Sequence, residues 1–132
     1  MEIYIAIGNV TGIAPGIYKY DSEEHSITQT FPGDIREGLS AASLNQSMLI
    51  DAPITIIYTA VYSRITERYG DRGRERYIYM EIGHSSQNIY LQAESLGLST
   101  CAIGAFTESQ LIRLLRLPPE EEPLYLMPVG HP

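Results

Sequence analysis

The turn at Gly104-Ala105-Phe106 has the residue types best suited to bind a ligand through the main chain. Two of its three side chains are absent or small, so peptide groups are accessible, and each backbone N–H needs a hydrogen-bond acceptor. A planar ligand can lie against such a main chain and present its polar edge to the N–H groups. The alternative is a tight strand-to-helix turn without a ligand, because small residues are common in turns. Both interpretations need a strand before the turn and a helix after it.

Arginines form a second candidate binding feature. Five of the nine basic residues lie between positions 64 and 76: Arg64, Arg68, Arg72, Arg74 and Arg76. Guanidinium groups bind phosphate and carboxylate through paired hydrogen bonds, so the cluster is compatible with an anionic substrate or a cofactor phosphate. Glu67, Asp71 and Glu75 alternate with the arginines at helical spacing, which predicts ordinary ion pairs on a solvated helix face instead.

Histidine and cysteine give no metal or nucleophile signal. Glu81 and His84 form a Glu-x-x-His pair, but a di-iron site needs a matching pair on another helix, and the sequence has none. We therefore predict no metal site and expect His84 to donate to a carbonyl in the core or at a subunit interface. Cys101 is the only cysteine; it is expected to be a small core residue, and a lone thiol is typical of a reducing compartment.

Alternating and β-branched residues predict the strands that would position these groups. Strands are expected at residues 2–7, at 17–20 and 25–30 as a hairpin, at 53–62, at 100–103 and at 124–129. The 53–62 segment contains an uninterrupted apolar run, which is typical of a strand covered on both faces. Residues 120–122, all glutamate, are predicted to be an acidic connector.

Helical periodicity predicts four helices. They are expected at residues 34–46 with Asp34 as the cap, at 63–69, at 74–96, and from Thr107 to the prolines at 118 and 119. Gly97 is expected to close the 74–96 helix, because glycine adopts a left-handed backbone without steric cost. Apolar residues recur on more than one side of that helix, which would be roughly 34 Å long. A small chain does not easily cover such a helix, so a second subunit is the expected cover.

Length and charge restrict the class of protein. The 132 residues fit a single domain, 1–132, and no repeat or linker divides it. The formal net charge of −7 argues against nucleic acid and anionic membrane surfaces, which need a concentrated positive field. No leader pattern follows Met1, and no apolar run approaches the ~20 residues of a membrane span. We expect a cytoplasmic protein whose partners are small molecules or proteins.

Several ordered sequence blocks together resemble one protein family. The blocks are NVTGIAPGIYKYD at 9–21, YGDRG at 69–73, EIGH at 81–84 with Gln87-Asn88, and PLYLMPVG at 123–130. They resemble the nitroreductase superfamily, most closely its SagB-type flavin dehydrogenase branch, which includes azoline oxidases of peptide-modifying systems. The resemblance implies an α+β fold with a mainly antiparallel central sheet flanked by helices, and a long central helix at a homodimer interface. It also implies bound FMN and hydride transfer between the flavin and NAD(P)H or an organic substrate.

The same resemblance assigns candidate site residues. The N–H of Gly104 or Ala105 would face the N5 edge of the flavin, and Phe106 would wall the site. Arg68 and Tyr69 occupy the place of a Lys-Tyr pair in the azoline oxidases, which implies a catalytic role for them. Arginine stays protonated and does not inherit the base role of a lysine, so Tyr69 would donate a proton or orient the substrate. Because the chain has ten tyrosines, a packing role for Tyr69 is the alternative.

Relatives of this type carry an upstream segment that holds the flavin phosphate, and the first residues here resemble the strand that follows it. We therefore expect the sequence to lack that segment, together with the basic residue that often follows the terminal Pro-Val-Gly strand. Two hypotheses of function remain open. One is an FMN-dependent oxidoreductase acting as a homodimer. The other is a non-catalytic or flavin-free scaffold or interaction subunit that lacks part of the FMN site.

Overall fold

The computed structural model describes every residue from Met1 to Pro132 and contains one sheet of six strands. The strands are Glu2–Ile7 (β1), Gly16–Asp21 (β2), Ser26–Pro32 (β3), Ile54–Val61 (β4), Ser99–Thr100 (β5) and Glu121–Gly130 (β6). Their order across the sheet is β3-β2-β1-β4-β6-β5, and every pairing is antiparallel. The predicted α+β class with an antiparallel central sheet is confirmed.

Five α-helices and one π-helical turn flank the sheet. They are Arg36–Ala42 (α1), Met48–Asp51 (α2), Tyr62–Tyr69 (α3), the π-helical turn Gly73–Tyr77, Ile78–Ser95 (α4) and Glu108–Leu115 (α5). A hydrophobic cluster that includes Leu39, Leu49 and Leu111 joins α1, α2 and α5 to one face of the sheet. A second cluster, with Ile78 and Ile82, packs α4 on the opposite face. None of the helices combines the length and the hydropathy of a membrane span.

The central strand is β4, as its apolar run predicts. It pairs with β1 along one edge and with β6 along the other. Ile57 belongs to the first hydrophobic cluster and Tyr58 to the second. Because successive strand side chains point to opposite faces, both faces of β4 are covered. The sheet is therefore the middle layer of a three-layer domain.

The helix predicted at 34–46 is interrupted. α1 ends at Ala42, and the chain becomes helical again only at Met48. Between them Leu44 and Asn45 both have φ of 58°, in the left-handed region that non-glycine residues rarely adopt. The apolar spacing continues through this break, so periodicity alone extends the helix too far.

The helix predicted at 74–96 is divided into the π-helical turn and α4. Gly97 closes α4 as predicted, with φ of 68°. Within the chain only one side of α4 is buried, the side of Ile78, Ile82, Ser86 and Ala93. Met80 and Leu91, on another side, are 54% and 61% exposed. The chain by itself therefore does not provide the burial on several sides that the sequence predicts.

The acidic connector predicted at 120–122 is wrong, because β6 begins at Glu121. The Glu121 residue is only 3% exposed, and its carboxylate accepts hydrogen bonds from the Tyr4 hydroxyl, at 3.1 Å, and from the Thr59 hydroxyl. Burial, and then the neighbouring Glu121 carboxylate, raises the pKa of Tyr4 above its ordinary value. Glu121 therefore ties β6 to β1 and β4.

We predict that Glu121→Gln lowers the free energy of unfolding by about 1–2 kcal/mol, because an amide offers one acceptor where the carboxylate offers two. Urea denaturation measures the change. The matched control is Glu122→Gln, since Glu122 is half exposed and its carboxylate lies 3.8 Å from the Arg74 guanidinium. This variant should change stability by less than about 1 kcal/mol. Equal losses for the two variants would contradict the role of Glu121.

Gly73 allows the π-helical turn to lie close to α3. A Cβ at Gly73 would be 2.8 Å from the carbonyl oxygen of Ile65. We predict that Gly73→Ala lowers the free energy of unfolding by about 1–3 kcal/mol, because the backbone must move. Gly83→Ala is the control, since no atom lies within 4 Å of the added Cβ. It should stabilise α4 by about 0.5–1 kcal/mol in the same urea titration. A gain at both positions would show that Gly73 is not sterically required.

Candidate functional site

The turn at 104–106 is anchored at both ends. Before it, Ile103 and Leu126 exchange two backbone hydrogen bonds, of 2.8 and 3.0 Å. After it, the N–H of Thr107 donates to the carbonyl of Ala42 at 2.8 Å, and α5 begins at Glu108. The predicted helix start at Thr107 is confirmed. The strand predicted at 100–103 is shorter, because β5 ends at Thr100 and Ile103 forms only an isolated bridge.

Between these anchors the backbone of the turn is accessible. The N–H groups of Gly104, Ala105 and Phe106 have no hydrogen-bond acceptor within the chain. Gly104 and Ala105 are exposed, and a Cβ at Gly104 would meet no atom within 4 Å. Phe106 is half-buried against the first hydrophobic cluster. A floor of unpaired donors with open space above it fits the acceptor-bearing edge of a planar ring such as a flavin.

A second turn, which the sequence analysis missed, lies beside the first. The hydrogen bond from Thr107 to Ala42 holds the end of α1, and with it residues 43–45, next to the 104–106 turn. Leu44 is 69% exposed although its side chain is apolar, and the buried hydroxyl of Ser43 has no partner. Left-handed backbone at non-glycine residues is concentrated at functional sites. Asn45, which tolerates this conformation, is the one sequence signal that could have located the turn.

Arg68 and Tyr69 lie far from the 104–106 turn within one chain. They form the end of α3, and the 18 residues of α4, about 27 Å, separate the two places. Tyr69 is 47% exposed and meets Tyr77 edge-on, with ring centroids 5.2 Å apart. The Arg68 guanidinium lies 5.2 Å from the centroid of the Tyr69 ring. The candidate catalytic and cofactor-binding residues therefore do not form one site in a single chain.

The ion pairs predicted within the arginine cluster are not formed. None of the arginines forms an ion pair with an interleaved carboxylate, that is, with Glu67, Asp71 or Glu75. The two ion pairs that do form reach distant strands: Arg64 with Glu2, and Arg74 with Glu122. Arg68, Arg72 and Arg76 are exposed and have no carboxylate partner. Helical spacing therefore predicted the wrong partners: Arg64 pairs with a carboxylate on β1 and Arg74 with one on β6.

The other singled-out residues contribute no further site chemistry. His84 is exposed on α4, so the predicted donation to a core carbonyl is wrong, while donation at a subunit interface stays a prediction. The Cys101 thiol is 3.1 Å from the Met48 sulfur, and burial raises the pKa of this thiol, which disfavours the reactive thiolate. No group of three or more His, Cys, Asp or Glu side chains is arranged to hold a metal ion.

The six-stranded antiparallel sheet, with α4 across one face and a bare turn after β5, is the architecture of the nitroreductase fold, and the chain belongs to the nitroreductase family. The sequence matches the description of that family over residues 3–131. A curated protein of Methanocaldococcus jannaschii, named "putative nitroreductase", is 45% identical over 130 residues, which are 98% of this chain and 64% of that protein.

Two solved structures show the same likeness. A nitroreductase structure from Anabaena variabilis, described as putative, has a TM-score of 0.93 and 31% identity, over 99% of this chain and 27% of that one. The NADPH:FMN oxidoreductase of Vibrio harveyi, in complex with NAD⁺, has a TM-score of 0.59 and 28% identity, over 74% of this chain and 45% of that one. The chain thus spans less than two thirds of the relatives it matches. The SagB-type branch and the cytoplasmic location stay predictions.

Proposed function

We propose that this chain provides the flavin-ring site of an FMN-dependent oxidoreductase, which transfers hydride between NAD(P)H or an organic substrate and the flavin. The observation that carries the proposal is the row of three unpaired N–H groups in the anchored 104–106 turn. Membership of the nitroreductase family and the likeness to an NADPH:FMN oxidoreductase support this choice of cofactor. FMN, when bound, supplies the hydride-accepting chemistry. The N–H groups of Gly104 and Ala105 would donate to the polar edge of the ring, and Phe106 would exclude water from one side.

The solvent-exposed side of α4 supports a homodimer. Met80, His84, Gln87 and Leu91 follow one another at spacings of four, three and four residues, so they form a stripe opposite the buried side of the helix. The stripe is apolar at both ends and polar in the middle. A twofold axis near its centre packs α4 antiparallel to its copy and puts Met80 against Leu91 of the partner subunit. A self-complementary surface of this kind is what an isologous interface requires.

The antiparallel arrangement would also bring the candidate catalytic residues of one chain near the candidate cofactor-binding turn of the other. Arg68 and Tyr69, at the end of α3, precede the N-terminal end of α4, and the chain after the C-terminal end of α4 leads to the 104–106 turn. Two antiparallel copies therefore bring Tyr69 of one chain toward the turn of the other. Tyr69 would then donate a proton to the substrate or orient it, and Arg68, which keeps its charge, would hold an anionic group of the substrate.

The test is cofactor retention followed by reduction. Purified protein is incubated with FMN, unbound FMN is removed, and the visible flavin absorption is recorded before and after anaerobic addition of NADH or NADPH. We expect the protein to retain the flavin absorption and this absorption to bleach when the nucleotide is added. Protein that never retains FMN would overturn the flavin site. If the protein retains FMN but NADH, NADPH and organic donors all fail to reduce the flavin, the result would favour the non-catalytic scaffold.

A further inference from the structure

The strand β3 lies at an edge of the sheet, and its outer side has no neighbouring strand. It pairs only with β2, so alternate residues direct unpaired N–H and C=O groups outward. All its residues except Phe31 are exposed. Natural edge strands are commonly protected by charged side chains, prolines or bulges. Because β3 has no charged residue, and its irregular register and Pro32 lie at its far end, residues 26–29 are open to a further strand.

A polar cavity adjoins this part of β3. It has a volume of about 590 Å³, and its walls include Thr28, Asp21 and Glu23. Thr28 pairs across the sheet with Lys19, which lines the same cavity. Paired residues on neighbouring strands have side chains on the same face of a sheet. A side chain opposite Thr28 on an added strand would therefore point to the side of the cavity.

The charges around the cavity are only partly paired. Lys19 and Arg64 both form ion pairs with Glu2, and the Lys19 pair has a distance of 3.0 Å. Asp21 and Glu23 have no ion-pair partner. The Asp21 carboxylate accepts a hydrogen bond of 2.8 Å from the N–H of Glu23, which holds the turn in place. The cavity therefore offers two carboxylates that no cation neutralises, on an ordered turn.

We infer that the edge of β3 binds a basic peptide segment of another protein as an added strand. Main-chain hydrogen bonds to residues 26–29 hold the segment. One arginine or lysine of the segment, placed opposite Thr28, enters the cavity and pairs with Asp21 and Glu23. The adjacent side chains of the segment point to the other face and pack on Ile27, an exposed apolar residue. Backbone pairing thus supplies affinity for an extended chain, and the cavity selects a basic residue.

This docking surface is separate from the proposed flavin site. β3 and β5 are the two outer strands of the sheet, five strand spacings or about 24 Å apart, and the 104–106 turn follows β5. Peptide binding at β3 requires neither bound flavin nor a second copy of the chain. Either site can therefore be absent while the other is present, and separate experiments test them.

The experiment is a fluorescence anisotropy titration of labelled five-residue peptides with the flavin-free protein. The parent peptide is acetyl-Thr-Val-Arg-Val-Thr-amide. We expect it to bind at least about tenfold more tightly than the peptide with glutamine in place of arginine, because a charge-assisted contact is lost. In two further peptides the backbone nitrogens of alternate residues are methylated, on both valines in one and on the arginine and the last threonine in the other. Since strand pairing uses one edge of the peptide, only one of these two should lose binding.

A double variant tests the two carboxylates. Asp21→Asn/Glu23→Gln should weaken binding of the arginine peptide at least about tenfold and leave binding of the glutamine peptide unchanged. Asparagine keeps a side-chain oxygen that accepts the hydrogen bond within the turn, so the turn should persist. The matched control is Glu37→Gln/Glu94→Gln, which removes two exposed carboxylates elsewhere on the chain and should bind the peptide like the original protein.

The docking surface would be refuted by any of three results. These are no binding of the arginine peptide at millimolar concentration, equal affinities of the parent and both methylated peptides, or unchanged affinity in Asp21→Asn/Glu23→Gln. Amide chemical shifts of the unmodified protein give a readout that needs no variant. The arginine peptide should shift resonances between residues 19 and 31. Shifts confined to the 104–106 turn or to residues 62–81 would locate the peptide at the proposed flavin site and rule out the edge of β3.

Discussion

Replacing Gly104 by valine should lower the affinity for FMN at least about 100-fold, or about 2.7 kcal/mol, without changing the free energy of unfolding. The valine side chain would project into the open space above the turn, where no atom of the chain lies within 4 Å. Gly104 is not among the glycines with positive φ, so a β-branched residue fits its backbone without strain. The added methyl groups would then occupy the volume proposed for the flavin ring. Fluorescence titration with FMN measures the loss.

Two further variants show whether a loss of FMN affinity comes from the space above Gly104. Gly104→Ala should cause a smaller loss of FMN affinity, because one methyl group fills less of the space. Ser109→Val, at an exposed position on α5 shortly after the turn, is the matched control and should bind FMN normally. Unchanged FMN affinity in Gly104→Val, with the fold intact by circular dichroism, would mean that the ring does not lie on this turn.

The double variant Met80→Glu/Leu91→Glu should convert the proposed homodimer into monomers. By symmetry each substitution acts twice, so four apolar side chains are replaced by charged ones. At about 1 kcal/mol or more for each, the dissociation constant should rise at least about 1,000-fold. Glutamate forms helices nearly as well as methionine and leucine, so α4 itself should persist. Sedimentation equilibrium measures the change, and FMN should be lost in parallel because the proposed ring site is completed by both chains.

The control for this variant is Ile27→Glu. Ile27 is an exposed apolar residue on β3, at the edge of the sheet, and its substitution adds the same charge away from α4. It should leave the oligomeric state unchanged. A double variant that stays dimeric, or an unmodified protein that is monomeric at micromolar concentration, would contradict the arrangement of two antiparallel α4 helices.

The sheet and its principal helices could be predicted because their signals are local. The apolar run of β4, the alternation in β1 and the glycine after α4 each report the structure that contains them. The errors occur where tertiary contacts override a local pattern. Glu121 sits in an acidic triplet typical of a connector, but Tyr4 and Thr59, distant in sequence, supply the hydrogen bonds that allow its burial in β6.

The candidate site was predictable only in part. Small residues at 104 and 105 indicate an accessible backbone, and the structure adds that all three N–H groups of the turn lack acceptors. The neighbouring turn at Leu44 and Asn45 was missed because helical periodicity continues through it, and Asn45 is the only local signal of the break. The separation of Tyr69 from the turn, by contrast, follows from the helix predicted at 74–96, of which α4 supplies 18 residues.

Sedimentation velocity with detection of both protein and flavin absorption tests whether two chains together form the flavin site. Protein saturated with FMN is centrifuged, and the two signals are compared. We expect flavin absorption to move with a species of twice the mass of one chain, at one FMN for each chain. Flavin that sediments with single chains, or that remains unbound beside a protein dimer, would contradict a ring site completed by two antiparallel copies.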